Sequence, residues 1–113
     1  MISVKEFFQF RSKFENYIST LDSISSELND IAMELPEFID YQLDAVLVFA
    51  KASAKGFDET SDVNKFYKRL KCVEVVTMIL MTHAHDEFEF EIINTIYLTV
   101  KNFKEIFERT FND

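Results

Sequence analysis

The sequence predicts an all-α fold, a single-domain bundle of about four to five antiparallel helices over residues 1–113. Three observations lead to this prediction. Apolar residues recur at steps of three and four over long stretches, as on the buried face of a helix. Only one Gly and one Pro occur, whereas β-rich folds need more turn residues. A hydrophobic content of 48% with 13 Phe indicates a packed core rather than a disordered acidic tail.

The first helix is predicted to begin at about residue 4, because Ser3 and Glu6 form an S-x-x-E capping box. Its apolar stripe runs in steps of three and four through Phe7, Phe10, Phe14, Tyr17, Leu21, Ile24, Leu28, Ile31 and Leu35. The stretch Ser19–Ser26 has poor helix propensity. We therefore favour a break there into two antiparallel helices, with one continuous helix over 4–35 as the alternative.

The next helix is predicted over residues 36–55. Pro36 suits the first turn of a helix, and Gly56 suits the left-handed residue that follows the last turn. Acidic residues near the start and lysines near the end match the helix dipole. Residues 57–62 are then expected to form a loop.

Two more helices follow. One is predicted over about 62–82, and its apolar stripe is Val63, Phe66, Leu70, Val73, Thr77, Leu80 and Ala84. Asp86 and Glu89 form a second capping box that opens the last helix, which runs to about Phe111 with Ile92, Ile96, Val100, Phe103 and Phe107 on its inner face. The alternative is a short β-hairpin over 83–95, because residues 88–92 alternate with period two.

Composition and charge limit the classes of partner and the compartment that we expect for this protein. A net charge of -8 with a sequence pI near 4.7 argues against direct binding to nucleic acid or to an anionic membrane, since both repel it. Cys72 is the only cysteine, which excludes an internal disulfide, and we expect it to be a buried, inert thiol. Residues 1–15 are too charged for a signal peptide, and the longest charge-free stretch after residue 50 is too short to span a bilayer. We expect a cytoplasmic protein.

The motifs of catalysis are absent from the sequence. It contains no P-loop, no Gly-rich nucleotide turn, no G-x-S-x-G and no H-E-x-x-H. His83 and Glu87 are four residues apart, but two ligands are too few for a zinc or di-iron site. A basic cluster over 65–71 is interpreted as a solvated helix face. We therefore expect no catalytic residue, no metal and no cofactor, and we do not expect an enzyme.

The charge distribution is the informative feature. Between Phe14 and Ala50 there is no Lys or Arg, and the eight carboxylates of this segment equal the whole excess of acid. Six of them follow helical spacing in two sets, Glu27, Asp30, Glu34 and Glu37, Asp40, Asp44, with Phe38 and Tyr41 beside them as aromatic anchors. If the helices pack side by side, these residues form one acidic face. We predict a docking surface for a basic partner; the alternatives are a solvated face that keeps the protein soluble and a divalent-ion site.

In its length, its cysteine-poor helical character and its uncompensated acid from Glu15 to Asp44, the chain resembles the small immunity proteins of bacterial toxin systems, of the contact-dependent growth inhibition and bacteriocin types. The resemblance implies a cytosolic inhibitor that binds one cognate protein toxin, often a nuclease, and covers its active site or an adjacent surface. A nuclease presents a basic cleft, which a row of carboxylates can occupy. Two other hypotheses stay open: a structural module that self-associates through its Phe-rich stripe, and a phage-encoded acidic mimic of nucleic acid.

Overall fold

The computed structural model describes residues 2–111, and within them the chain forms four α-helices and one short 3-10 helix. The helices are α1 (Val4–Ile31), α2 (Glu37–Thr60), α3 (Val63–Thr82) and α4 (Glu87–Phe111), and the 3-10 helix Ala32–Glu34 leads from α1 towards α2. Positions 1, 112 and 113 of the predicted domain lie outside the described residues. The all-α prediction is confirmed. The hairpin alternative is wrong, because residues 87–95 are helical and residues 2–111 contain no strand.

The helices form a ring in which neighbours run antiparallel. Helix α1 packs against α2 and α4, and α3 packs against the same two helices. The start of α1 meets the end of α4, where the rings of Phe10 and Phe111 are 5.0 Å apart. The bundle measures 46 × 24 × 20 Å. The α1–α2 and α3–α4 connections therefore lie at one end, and the α2–α3 connection lies at the other.

The core changes character along the bundle axis. Near the α2–α3 connection it is a cluster of seven phenylalanine rings, Phe10, Phe14, Phe57, Phe66, Phe103, Phe107 and Phe111. Towards the other end it is aliphatic, with Leu21, Ile24, Leu28, Leu35, Ile39 and Leu43 buried. Burying each such side chain contributes about 1.5–3 kcal/mol, so both halves hold the four helices together.

One residue of the predicted apolar stripe of α1 does not lie on the buried face. Phe7, which the periodicity places on the buried face, is exposed, because the buried positions of α1 begin one turn later at Phe10. Phe10 and Phe14 are fully enclosed in the aromatic cluster. These two rings are therefore part of the core of the bundle and not of its surface.

The break that we favoured within α1 is also wrong. The helix continues through Ser19–Ser26, since Leu21 and Ile24 in this stretch are buried in the core at helical spacing. The Thr20 hydroxyl donates a hydrogen bond to the backbone carbonyl of Asn16 at 2.8 Å, so this polar side chain has its partner within the helix. Tertiary packing outweighs the poor local propensity.

Gly56 does not end α2 in the structure. The helix runs four residues further to Thr60, and the left-handed residue that follows is Ser61, with φ 57°. The reason is Phe57, whose ring stacks on Phe66 at 4.8 Å and requires one more helical turn. The predicted loop over 57–62 is accordingly reduced to 61–62.

The local helix signals are confirmed. The Ser3 side chain accepts the Glu6 backbone N–H at 3.1 Å, and Asp86 accepts that of Glu89 at 2.8 Å. The inner face of α4 is shifted by one residue at its start, where Ile93 is fully buried and Ile92 only partly.

Cys72 is exposed, so the prediction of a buried thiol is wrong.

Candidate protein-binding surface

The fold brings all the Lys and Arg residues to one end of the bundle. All twelve Lys and Arg occur in three segments, 5–13, 51–71 and 101–109. In the antiparallel ring these segments are the first third of α1, the end of α2 with the start of α3, and the end of α4. These parts of the four helices all lie at the end of the bundle that holds the α2–α3 connection. We call it the basic end.

The boundary of the basic end is at nearly the same height in each helix. The innermost cations are Lys13, Lys51, Lys71 and Lys101. At 1.5 Å of rise per residue, each lies within about 15 Å of the same end of its helix. Because the bundle is 46 Å long, the other two thirds of its length carry no Lys or Arg within residues 2–111.

Three ion pairs mark this boundary. Lys104 binds Glu74 at 2.7 Å, Arg11 binds Glu15 at 3.3 Å, and Lys51 binds Asp22 at 3.8 Å. The hydrogen bond with Glu74 raises the pKa of Lys104 above its ordinary value. Arg11 also binds Asp58 of α2, and this hydrogen bond raises the pKa of its guanidinium. The carboxylates at the boundary, Glu15, Asp22 and Glu74, are thus paired with cations of the same chain.

The opposite end carries nine exposed or half-exposed carboxylates, and none of them lies within ion-pair distance of a cation of the described residues. They are Glu27, Asp30, Glu34, Glu37, Asp40, Asp44, Asp86, Glu87 and Glu91. We call this set the acidic end. Beyond the Debye length of about 8 Å at physiological salt, the basic end does not offset their charge.

Six of these nine are the carboxylates that the sequence selects, and the structure groups them by end rather than by one face. Glu37 and Asp44 lie on the flank of α2 that faces α1, since Lys51 and Asp58 follow at steps of seven and contact α1. Glu27 lies on the opposite flank of α1, in line with Lys13 and Thr20 of the α1–α4 groove. Asp30 and Glu34 lie between them at the tip, and Asp40 is half-buried.

Exposed aromatic side chains stand among these carboxylates. Phe38 is 70% exposed and Tyr41 is 77% exposed, both in the first two turns of α2. Phe88 and Phe90 are exposed in the first turn of α4. Exposed aromatic side chains are enriched in protein-binding sites, where they act as anchors. The two predicted anchors are thus exposed, and α4 adds two more.

The contribution of α4 to this end was missed by the sequence reasoning. Its signal is a second segment without Lys or Arg, residues 72–100, which contains Asp86, Glu87 and Glu91. This segment spans the α3–α4 connection as the first one spans the α1–α2 connection. Only the antiparallel topology brings the two connections to the same end.

One further carboxylate at this end is buried and used internally. Glu89 is 2% exposed, and its Oε2 accepts the His85 backbone N–H at 2.9 Å and lies 3.1 Å from His85 Nδ1. Among residues 2–111, no three His, Cys, Asp or Glu side chains are grouped so as to hold a metal ion. The carboxylates of the acidic end instead point outwards over a wide area, which suits a large partner better than an ion.

The fold and this surface define an antiparallel four-helix bundle with a polarised charge distribution and an acidic, aromatic end. None of the helices over residues 2–111 is both long and apolar enough to cross a membrane. No protein-family model matches the chain, and no curated protein or solved structure is significantly similar to it.

Proposed function

We propose that this chain is a protein-binding inhibitor of the immunity type, which docks its acidic end onto a basic surface of a cognate protein toxin. The observation that carries the proposal is the set of nine outward carboxylates without a cation partner in the described residues, interspersed with exposed aromatic rings. Such a surface attracts a basic protein over a distance and gives it apolar contacts on arrival.

A nuclease is the class of toxin that this surface fits best. Its active-site cleft must be basic to hold a polyphosphate, and the acidic end offers carboxylates in the place of phosphates. The rigid helices hold these groups in position before binding, so little conformational entropy is lost when the complex forms. Inhibition then results from coverage of the cleft and needs no chemistry from this chain.

The test is capture of the partner with three baits. The first is the full chain, and the second carries Asp30→Asn, Glu34→Gln and Glu37→Gln at the acidic end. The third is a matched control with Glu6→Gln, Glu59→Gln and Glu105→Gln, three exposed carboxylates near the basic end. Both variants lose the same charge, and circular dichroism verifies that both remain helical.

We expect the full chain and the control to retain one basic protein from lysate of the source organism in a 1:1 ratio, and the acidic-end variant to lose it. The purified partner should have nuclease activity that the full chain abolishes at equimolar amount. Equal retention by the acidic-end variant would show that another surface binds. Recovery of no stoichiometric partner would count against the inhibitor function itself.

A further inference from the structure

A small pocket lies at the basic end, between the last turns of α2 and the first turns of α3. Its volume is about 40 Å³, and its lining includes Ser53, Gly56 and Thr60 of α2 and Lys65 and Arg69 of α3. About 10–15 Å³ of cavity volume is enough for one water molecule. The pocket therefore has room for a group of a few heavy atoms, and the rest of a larger ligand would lie outside it.

Arg69 differs from the other half-buried cations of residues 2–111. These are five in all, Arg11, Lys51, Arg69, Lys101 and Lys104. Arg11, Lys51 and Lys104 pair with carboxylates, and the ammonium group of Lys101 lies over the ring of Tyr97 at 5.7 Å. Arg69 has neither an ion pair nor a cation–π contact in the part of the chain that the structure describes. Because burial of a charge is unfavourable unless the charge is paired, its guanidinium indicates a place for an anion.

The other polar groups of the pocket already have partners. The Ser53 and Thr60 hydroxyls donate to backbone carbonyls of α2 at 2.7 and 2.8 Å. Asp62 also lines the pocket, and its Oδ1 accepts the backbone N–H of Lys65 at 3.1 Å as the N-cap of α3. A ligand therefore takes its hydrogen bonds from the side chains of Lys65 and Arg69, which can only donate. Two cationic donors favour an oxyanion.

Gly56 leaves the floor of the pocket open. It is the only glycine of the chain, and it lies inside α2, where glycine is the least favourable residue except proline. A Cβ atom at this position would lie 3.6 Å from Nη1 of Arg69, in ordinary van der Waals contact. Alanine would therefore fit and would favour the helix, but its methyl group would fill the space beside the guanidinium. A ligand in that space accounts for a residue that helix preference disfavours.

We infer that this pocket binds a phosphate group, either free or at the end of a small molecule. The planar guanidinium of Arg69 can donate two parallel hydrogen bonds to one phosphate, and Lys65 adds a second positive charge. Residues 62–69 contain three cations and one carboxylate, which matches the charge of about −1.5 to −2 on a phosphate monoester better than that of a carboxylate. The inference goes beyond the proposed inhibitor function, since the toxin is proposed to dock at the other end of the bundle.

The first experiment titrates the ¹⁵N-labelled full chain with inorganic phosphate and follows it by NMR, with chloride at matched ionic strength and pH as the reference. The single glycine signal reports on the floor of the pocket, and the Nε signal of Arg69 reports on the guanidinium. We expect phosphate to shift both signals to saturation and chloride to leave them in place. Glycerol phosphate should shift the same signals, and glycerol should not. Tighter binding of glycerol phosphate than of inorganic phosphate would identify an ester as the ligand, and equal binding would identify free phosphate.

The second experiment repeats the titration with variants that circular dichroism shows to be helical. Arg69→Gln should bind phosphate about tenfold more weakly or worse, because hydrogen bonds to charged groups contribute roughly this much. The matched control, Arg109→Gln, removes the same charge from an exposed position on α4 and should bind as the full chain does. Gly56→Ala should raise the unfolding temperature without phosphate and should lose the response to phosphate.

Three results would overturn the inference. They are equal shifts under phosphate and chloride, unchanged affinity in Arg69→Gln, and unchanged affinity in Gly56→Ala. Because none of these substitutions lies at the acidic end, failure here leaves the inhibitor proposal standing. Capture of a toxin by the Arg69→Gln variant as efficient as that by the full chain would show that the two sites are independent.

Discussion

Replacing Glu89 with Ala should destabilise the bundle by about 2 kcal/mol. The Glu89 carboxylate accepts the His85 N–H at 2.9 Å and lies 3.1 Å from the His85 ring nitrogen. Hydrogen bonds to charged groups contribute about 1.5–3 kcal/mol each. Against this, the variant relieves the burial of a negative charge at the acidic end, which has no cation in the described residues. The net loss is therefore closer to one such bond than to two.

Urea unfolding followed by circular dichroism measures this loss through the midpoint at an unchanged slope. Glu87→Ala is the matched control, since Glu87 is exposed two residues away and should change stability by no more than about 0.5 kcal/mol. Glu89→Gln keeps an oxygen for the His85 N–H and should fall between the two. Equal midpoints for Glu89→Ala and Glu87→Ala would refute the reasoning, because the buried bonds would then contribute nothing net.

Two other predictions concern the aromatic side chains. Phe14→Ala should lower the free energy of unfolding by about 3–5 kcal/mol, because the Phe14 ring is fully buried and contacts four other rings. Phe7→Ala should change it by no more than about 0.5 kcal/mol, because the Phe7 ring is exposed. Urea unfolding measures both variants. Burial raises the pKa of Tyr17, so the folded protein resists its ionisation and stability should fall as the pH rises above about 10, where an unfolded tyrosine ionises. Tyr17→Phe should move alkaline unfolding to higher pH and leave stability at pH 7 nearly unchanged, since the hydroxyl has no hydrogen-bond partner in the described residues.

Each of these has a contradicting result. If Phe7→Ala destabilises as much as Phe14→Ala, the buried stripe of α1 begins one turn earlier than the structure has it. The control for Tyr17 is Tyr41→Phe, which changes an exposed ring and should leave alkaline unfolding where it is. An unchanged alkaline midpoint in Tyr17→Phe would assign the pH dependence to other groups.

The sequence predicts the parts of this fold that local chemistry decides. The capping residues Ser3 and Asp86 begin helices as predicted, because the bonds they make span only three residues. The stripe of α3 is also confirmed, with Phe66 and Leu70 buried. These features need no knowledge of the partner helix.

The errors occur where tertiary contacts outweigh local preference. Residues Ser19–Ser26 stay helical because the apolar residues among them are buried. Helix α2 continues beyond Gly56 because the ring of Phe57 stacks on that of Phe66. The candidate site shows the same limit. Its α2 carboxylates are visible in one segment of sequence, whereas those of α4 join them only through antiparallel packing.

The charge distribution argues for partner binding over solubility. A surface that serves only solubility usually has both signs interspersed, and this chain has twelve cations available for that purpose. All twelve lie at one end instead, although like charges three or four residues apart, such as Asp40 and Asp44, repel each other by a few tenths of a kcal/mol. A distribution that is unfavourable within the chain becomes favourable when a partner brings cations to the acidic end.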